Sequence, residues 1–176
     1  HRRYPAAQGA FALLRSGART GDLVVVSGVP GLAARALESI KAEATPAAAQ
    51  KEALDYPQPR VALGRSLLGL ATSCIDLSDG LASDLAHILD RSGVGAEVEL
   101  GRLPASEDLC ELQDEHRWRL QLAGGDDYEL CFTVPAESAR RLEQISESCN
   151  IPLTVIGRIV DQGGLQIKSH DGVPFE

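Results

Sequence analysis

Apolar residues along this chain fall into short runs separated by glycine, proline and acidic turns. Leu23-Val24-Val25-Val26-Ser27 is continuously apolar between the turn chemistry of Gly17 to Asp22 and the break at Gly28 to Gly31, which predicts a buried strand. Leu32 to Ala44 has the alanine and leucine content of a helix, whereas Thr45 to Ala53, interrupted by Pro46, reads as a linker. Pro57-Gln58-Pro59 forces an extended entry into a helix over Val61 to Ala71, followed by a short strand over Thr72 to Leu77. Leu81, Leu85, Ile88 and Leu89 then recur at i, i+4, i+7 and i+8, so a helix runs from Gly80 until Gly93 ends it.

Further on, Ala96 to Leu100 alternates as a strand and Ser106 to Gln113 suggests a helix. Tyr128 to Val134 sets Leu130, Phe132 and Val134 on one strand face. A helix over Pro135 to Cys149 and strands over Leu153 to Val160 and Leu165 to Lys168 complete the chain, with a helical turn expected near its start at Phe11 to Arg15. Strands and helices interleave without internal repeats. The expected class is α+β, a mixed β-sheet layered with α-helices.

Composition narrows the function classes. At 176 residues and 44% hydrophobic content the chain can bury one substantial core. No stretch approaches the roughly 20 apolar residues of a membrane-spanning helix, and the start lacks a signal-peptide core, so a cytoplasmic protein without a membrane partner is expected. The net charge of -8, with basic residues scattered and only three of them Lys, argues against nucleic acid as a partner. Cys74, Cys110, Cys131 and Cys149 lack paired spacing and read as reduced structural thiols. P-loop and Rossmann glycine signatures are absent, and His87, off its helix's apolar stripe with no second His nearby, does not suggest zinc.

Two segments carry candidate chemistry. Ile75-Asp76-Leu77-Ser78-Asp79-Gly80-Leu81 lies where a strand end meets a helix start, and two carboxylates three residues apart there can aim at one magnesium ion held against phosphate. The competing reading is that Ser78 or Asp79 caps the helix and Asp76 is a solvated acid. Ala123-Gly124-Gly125-Asp126-Asp127-Tyr128-Glu129-Leu130 places adjacent acids at a strand mouth behind two glycines, which permit close approach of backbone to ligand. A polar tight turn is the alternative. Arg15-Ser16-Gly17-Ala18 can clamp a phosphate or leave Arg15 on the surface, Arg60 reads as a helix-start surface residue, and Trp118 as half-buried packing.

Arg15-Ser16-Gly17-Ala18, Gly21-Asp22, Pro57 to Arg60, Ile75 to Leu81, Gly124 to Leu130 and Ile156-Gly157-Arg158-Ile159 follow one another in an order that resembles the C-terminal domain of thiamine-monophosphate kinases, over nearly the whole chain. That family belongs to the superfamily of aminoimidazole ribonucleotide synthetase, whose C-terminal domain also layers helices on a mixed sheet. The resemblance implies ATP-dependent phosphorylation of thiamine monophosphate to thiamine diphosphate. It implies Asp76 and Asp79 as magnesium ligands, Ser78 and Arg15 as ATP contacts, and Asp126 at the place of a substrate-contacting Glu in many relatives. It also implies that residues 1–176 form a single C-terminal domain, that a missing N-terminal domain carries further metal-binding acids, and that the full-length protein is a homodimer. The lack of any methionine fits an excised piece of a longer protein. On this basis the chain alone is expected to be inactive. The alternatives are another ATP-dependent enzyme of that superfamily and a non-catalytic interaction module.

Overall fold

The apolar run at Val24–Val26 lies inside a six-stranded sheet in the computed structural model, which describes residues 12–169 and 175. In chain order the elements are β1 (Leu23–Ser27), α1 (Leu32–Lys41), α2 (Ala48–Asp55), α3 (Val61–Ser66), β2 (Ser73–Asp76), α4 (Leu81–Ser92), β3 (Gly95–Glu99), α5 (Glu107–Cys110), α6 (Asp114–Ala123), β4 (Leu130–Val134), α7 (Ala139–Cys149), β5 (Leu153–Val160) and β6 (Gly164–Lys168). The strand order is β2-β4-β1-β5-β3-β6. All neighbours are antiparallel except β3 and β6, so the sheet is mixed, as expected.

Both faces of the sheet are covered, which explains why β1 is apolar without alternation. Val24 and Val26 pack with Leu81, Leu85 and Ile88 of α4, while Val25 meets Leu63, Phe132 and Leu142 on the other face. Each of Val24, Val25 and Val26 is fully buried. The α4 stripe is borne out, for Leu81, Leu85, Ile88 and Leu89 are all buried and Gly93, at φ 69, ends the helix in the left-handed region. Leu130, Phe132 and Val134 share one face of β4, and Trp118 is half-buried against the edge of the Phe175 ring, with centroids 5.7 Å apart.

Three expectations are corrected. Thr45 to Ala53 is no linker: α2 occupies most of it and packs on α1, alanine being the strongest helix former. Residues 12–15 form no helical turn, because the Leu14 carbonyl accepts from Cys74 N at 2.8 Å along the edge of β2; Phe11 lies outside the described residues. The helix expected over Val61 to Ala71 stops at Ser66 and continues as turns. A further helix, α6, was not anticipated, since its charged sequence buries only Leu120, Gln121 and Leu122. The cysteines are free thiols, with Cys110 exposed and the Cys74 thiol pushed up to about 12 by burial.

Candidate functional site

Residues 77–80 turn the chain from the end of β2 into α4. Leu77 is buried and its N–H donates to the Glu129 carbonyl at 2.8 Å. The two following N–H groups, of Ser78 and Asp79, donate to Oδ2 of Asp84 at 2.9 and 3.0 Å. Asp84 is buried in the first turn of α4, where negative charge is favoured, and it satisfies two amides that the helix itself cannot. Gly80 is the cap residue and no side chain bonds there, so neither Ser78 nor Asp79 caps α4. The Asp76 and Asp79 carboxylates are exposed, and among the described residues neither has a hydrogen-bond donor or cation on it. Their hard, ionised oxygens are the donor type that suits magnesium. The tightest trio of ligand-type groups among the described residues is Asp79, Asp84 and His87, whose ligand atoms lie within 4.8 Å of one another. Asp76 stands outside that trio.

The second acidic segment is zipped to the first. Asp126 N donates to Ser78 O at 3.1 Å and Tyr128 N to Leu77 O at 2.9 Å, continuing the β2–β4 pairing beyond the strand ends. Successive side chains then face opposite ways. Asp126 and Tyr128, both in the left-handed region at φ 64 and 52, are exposed, whereas Asp127 is half-buried and Glu129 buried. Tyr128 Oη donates to Asp126 Oδ1 at 3.3 Å. The Asp126 carboxylate is the main cause of a raised Tyr128 phenol, with Asp76 and Asp79 adding to it, so the three acids share one neighbourhood.

Inward-facing Asp127 accepts from the N–H of Gly31 at 2.7 Å and of Ala33 at 3.3 Å, at the start of α1. Burial pushes its carboxyl up to about 6 against the opposing effect of those two bonds. Glu129 receives Arg60 Nε at 2.8 Å, the second Arg60 nitrogen and the Ser27 hydroxyl, and Ser27 Oγ in turn accepts from Leu130 N at 2.9 Å. The bond to Glu129 holds Arg60 more firmly protonated. Arg60 is therefore not the surface residue expected. The glycine pair is also explained differently, because a Cβ on Gly125 would stand 2.5 Å from Ser78 O and one on Gly124 would collide with Leu120 O and Ala34. These glycines permit protein backbone, not a ligand, to approach.

Two clefts flank the acidic group. One, of about 490 Å³, lies between α1 and α6, is walled by Ala33, Leu37 and Leu120, and ends at Asp126. The other, of about 460 Å³, runs beside β2 past Leu13, Pro59 and Arg60 to Asp76 and Tyr128. Asp76, Ser78, Asp79 and Asp126 are thus brought together. Arg15 is exposed and follows Leu14, whose carbonyl accepts from Cys74 N beside β2, while its own carbonyl accepts from Ser92 Oγ at the C-terminal end of α4. Asp84, Asp127, Ser27 and Glu129 were missed as supports of the site. An acid in the first turn of a helix was the available signal for Asp84, whereas the other three lack a local one.

The fold and the acidic site define a class: residues 19–170 match the AIR synthase related protein, C-terminal domain, and the chain belongs to that family. Within it the chain is similar to thiamine-monophosphate kinases. That of Haemophilus influenzae is 41% identical over 157 residues, spanning 86% of this chain and 48% of the relative. The solved thiamine-monophosphate kinase of Stenotrophomonas maltophilia K279a superposes with a TM-score of 0.84 at 40% identity, over 91% of this chain and 53% of that one. AaThiL, solved in complex with AMPPCP and TMP, gives a TM-score of 0.77 at 32% identity, over 93% and 52%. The chain spans about half the length of the relatives it matches. Among the described residues no helix is long and apolar enough to cross a membrane.

Proposed function

We propose that this chain is the C-terminal half of a cytoplasmic thiamine-monophosphate kinase, which moves the γ-phosphoryl group of ATP to a phosphate oxygen of thiamine monophosphate. The bond from the γ-phosphorus to the β,γ-bridging oxygen breaks, ADP leaves, and the new P–O bond completes thiamine diphosphate. The observation that carries the reading is the convergence of Asp76, Ser78, Asp79 and Asp126, with both candidate metal carboxylates unpaired among the described residues, between a cleft that reaches Asp126 and another that reaches Asp76. Its support from the comparisons is the naming of the relatives and the AMPPCP and TMP bound to AaThiL.

In this reading Asp76 and Asp79 hold magnesium and Ser78, whose hydroxyl is free of hydrogen bonds among the described residues, contacts ATP. Asp126 contacts the acceptor at the end of the α1–α6 cleft. Magnesium, when bound, supplies positive charge against the phosphate oxygens of an otherwise acidic site. The protein positions the two substrates and needs no side-chain nucleophile. Arg15, exposed beside β2, makes a further ATP contact. A preceding domain supplies the remaining acids, and the full-length protein is a homodimer.

The test is a phosphoryl-transfer assay on the full-length parent with thiamine monophosphate and alternative acceptors. ATP- and magnesium-dependent formation of thiamine diphosphate is expected. A parent inert toward thiamine monophosphate but active on another acceptor overturns the assignment. The isolated chain is expected to fold without turnover, and a rate matching the parent would refute the division of the site between two halves.

A further inference from the structure

Adjacent Asp126 and Asp127 are chemically alike but face opposite ways, and only Asp126 reaches the α1–α6 cleft. Asp127 instead bonds across 96 and 94 residues of chain to Gly31 N and Ala33 N. No side chain from α1's own segment caps that helix, so Asp127 acts as its cap from a distance. Helix α1 supplies Ala33, Ala34, Leu37, Glu38 and Lys41 to the wall of the cleft, and the loop carrying Asp126 closes its end. The close fit of Gly124 against Ala34 adds a second, packing contact between the same two pieces. Loop residues on both sides of Asp127 sit at positive φ, a conformation that non-glycine residues keep only when their surroundings hold them there.

We propose that Asp127 is a positioning residue that sets the acceptor cleft, locking the wall formed by α1 to the loop that presents Asp126. The proposal rests on the acceptor assignment made above for Asp126. Its consequence is selective. Loss of the Asp127 bonds frees the start of α1, and with it the cleft wall, from the loop that presents Asp126, while the turn that carries Asp76, Ser78 and Asp79 keeps Asp84 and its backbone bonds to that loop.

The experiment compares Asp127→Asn with wild type in the full-length enzyme. Asn retains the shape but loses the charge and one of the two acceptor oxygens. The KM for thiamine monophosphate is expected to rise about tenfold, the equivalent of a lost charge-assisted hydrogen bond, while the KM for ATP and the magnesium dependence stay within about twofold. Hydrogen exchange at residues 124–129 is expected to accelerate in the variant. Asp127→Glu, which keeps both oxygens but shifts the loop by a methylene, is expected to show a smaller rise of the same kind. It carries the test should Asp127→Asn not fold. An unchanged acceptor KM, equal rises for both substrates, or unaltered exchange at 124–129 overturns the proposal. A wild-type parent inert toward thiamine monophosphate defeats the acceptor assignment instead, and the exchange measurement still decides whether Asp127 locks the loop.

Discussion

The two acidic segments of the site are built in opposite ways. The turn at 77–80 is held from within, by an acid five and six residues further along the helix that the turn begins. The loop at 124–129 is held from outside, by Gly31 and Ala33 through Asp127 and by Arg60 and Ser27 through Glu129, across 69 to 102 residues of chain. The first takes its side-chain anchor from α4 alone, whereas the second depends on the distant stretch 27–33 and on Arg60. Both still present their outward carboxylates to the same space, because the backbone bonds between 77–78 and 126–129 clamp one segment to the other. A locally held turn suits groups whose mutual spacing must be kept. A remotely held loop makes the position of Asp126 depend on the state of α1.

The comparison can be broken most strongly at its outward carboxylates. Asp76→Asn and Asp79→Asn in the full-length enzyme should each lower phosphoryl transfer by about 100-fold or more, since charge stabilisation of the moving phosphoryl group is the main catalytic contribution. Both positions are exposed, so unfolding free energy should change by no more than about 0.5 kcal/mol. Full activity of either variant at limiting magnesium would remove the metal-ligand assignment. The remote anchor comes next. Arg60→Met strands buried Glu129 without its cation and should destabilise the chain by roughly 2–3 kcal/mol, toward the low end for a buried pair because Arg60 is partly solvated. Urea unfolding measures this, and an unchanged midpoint would show that the pair does not hold the loop.

The local anchor should matter less. Asp84→Ala leaves Ser78 N and Asp79 N without their acceptor, a loss of about 1–2 kcal/mol by the same unfolding measurement. Asp84→Asn, which keeps an acceptor oxygen, should lose less, and equal losses would mean that the charge, not the bonds, is what the turn needs. The smallest effect concerns pH. The Asp127 carboxyl is raised from 3.8 to about 6, so the folded chain binds this proton more readily than the unfolded one. Its contribution to stability is full below about pH 4 and is lost as pH rises through about 6. Thermal midpoints between pH 4 and 7 should show wild type losing ground to Asp127→Asn as pH rises, and parallel curves would refute the shift.

Much of the scaffold was legible because helices and strands write their periods into neighbouring residues. The four apolar positions of α4, the continuous run of β1 and the shared face of β4 each follow from spacing alone. The junction at Asp76 to Asp79 was equally visible, since a strand end, an acidic turn and a helix start are adjacent in sequence. Low contrast hid α2 and α6, one mostly alanine and polar and the other largely charged. The tasks of Asp126 and Asp127, the pairing of Arg60 with Glu129 and the reason for the two glycines were decided only by the tertiary structure. Side-chain type records that a carboxylate must find a donor or remain in water. Which donor it finds depends on what the folded chain brings within about 3 Å of it, and for Asp127 and Glu129 those partners lie far away in sequence.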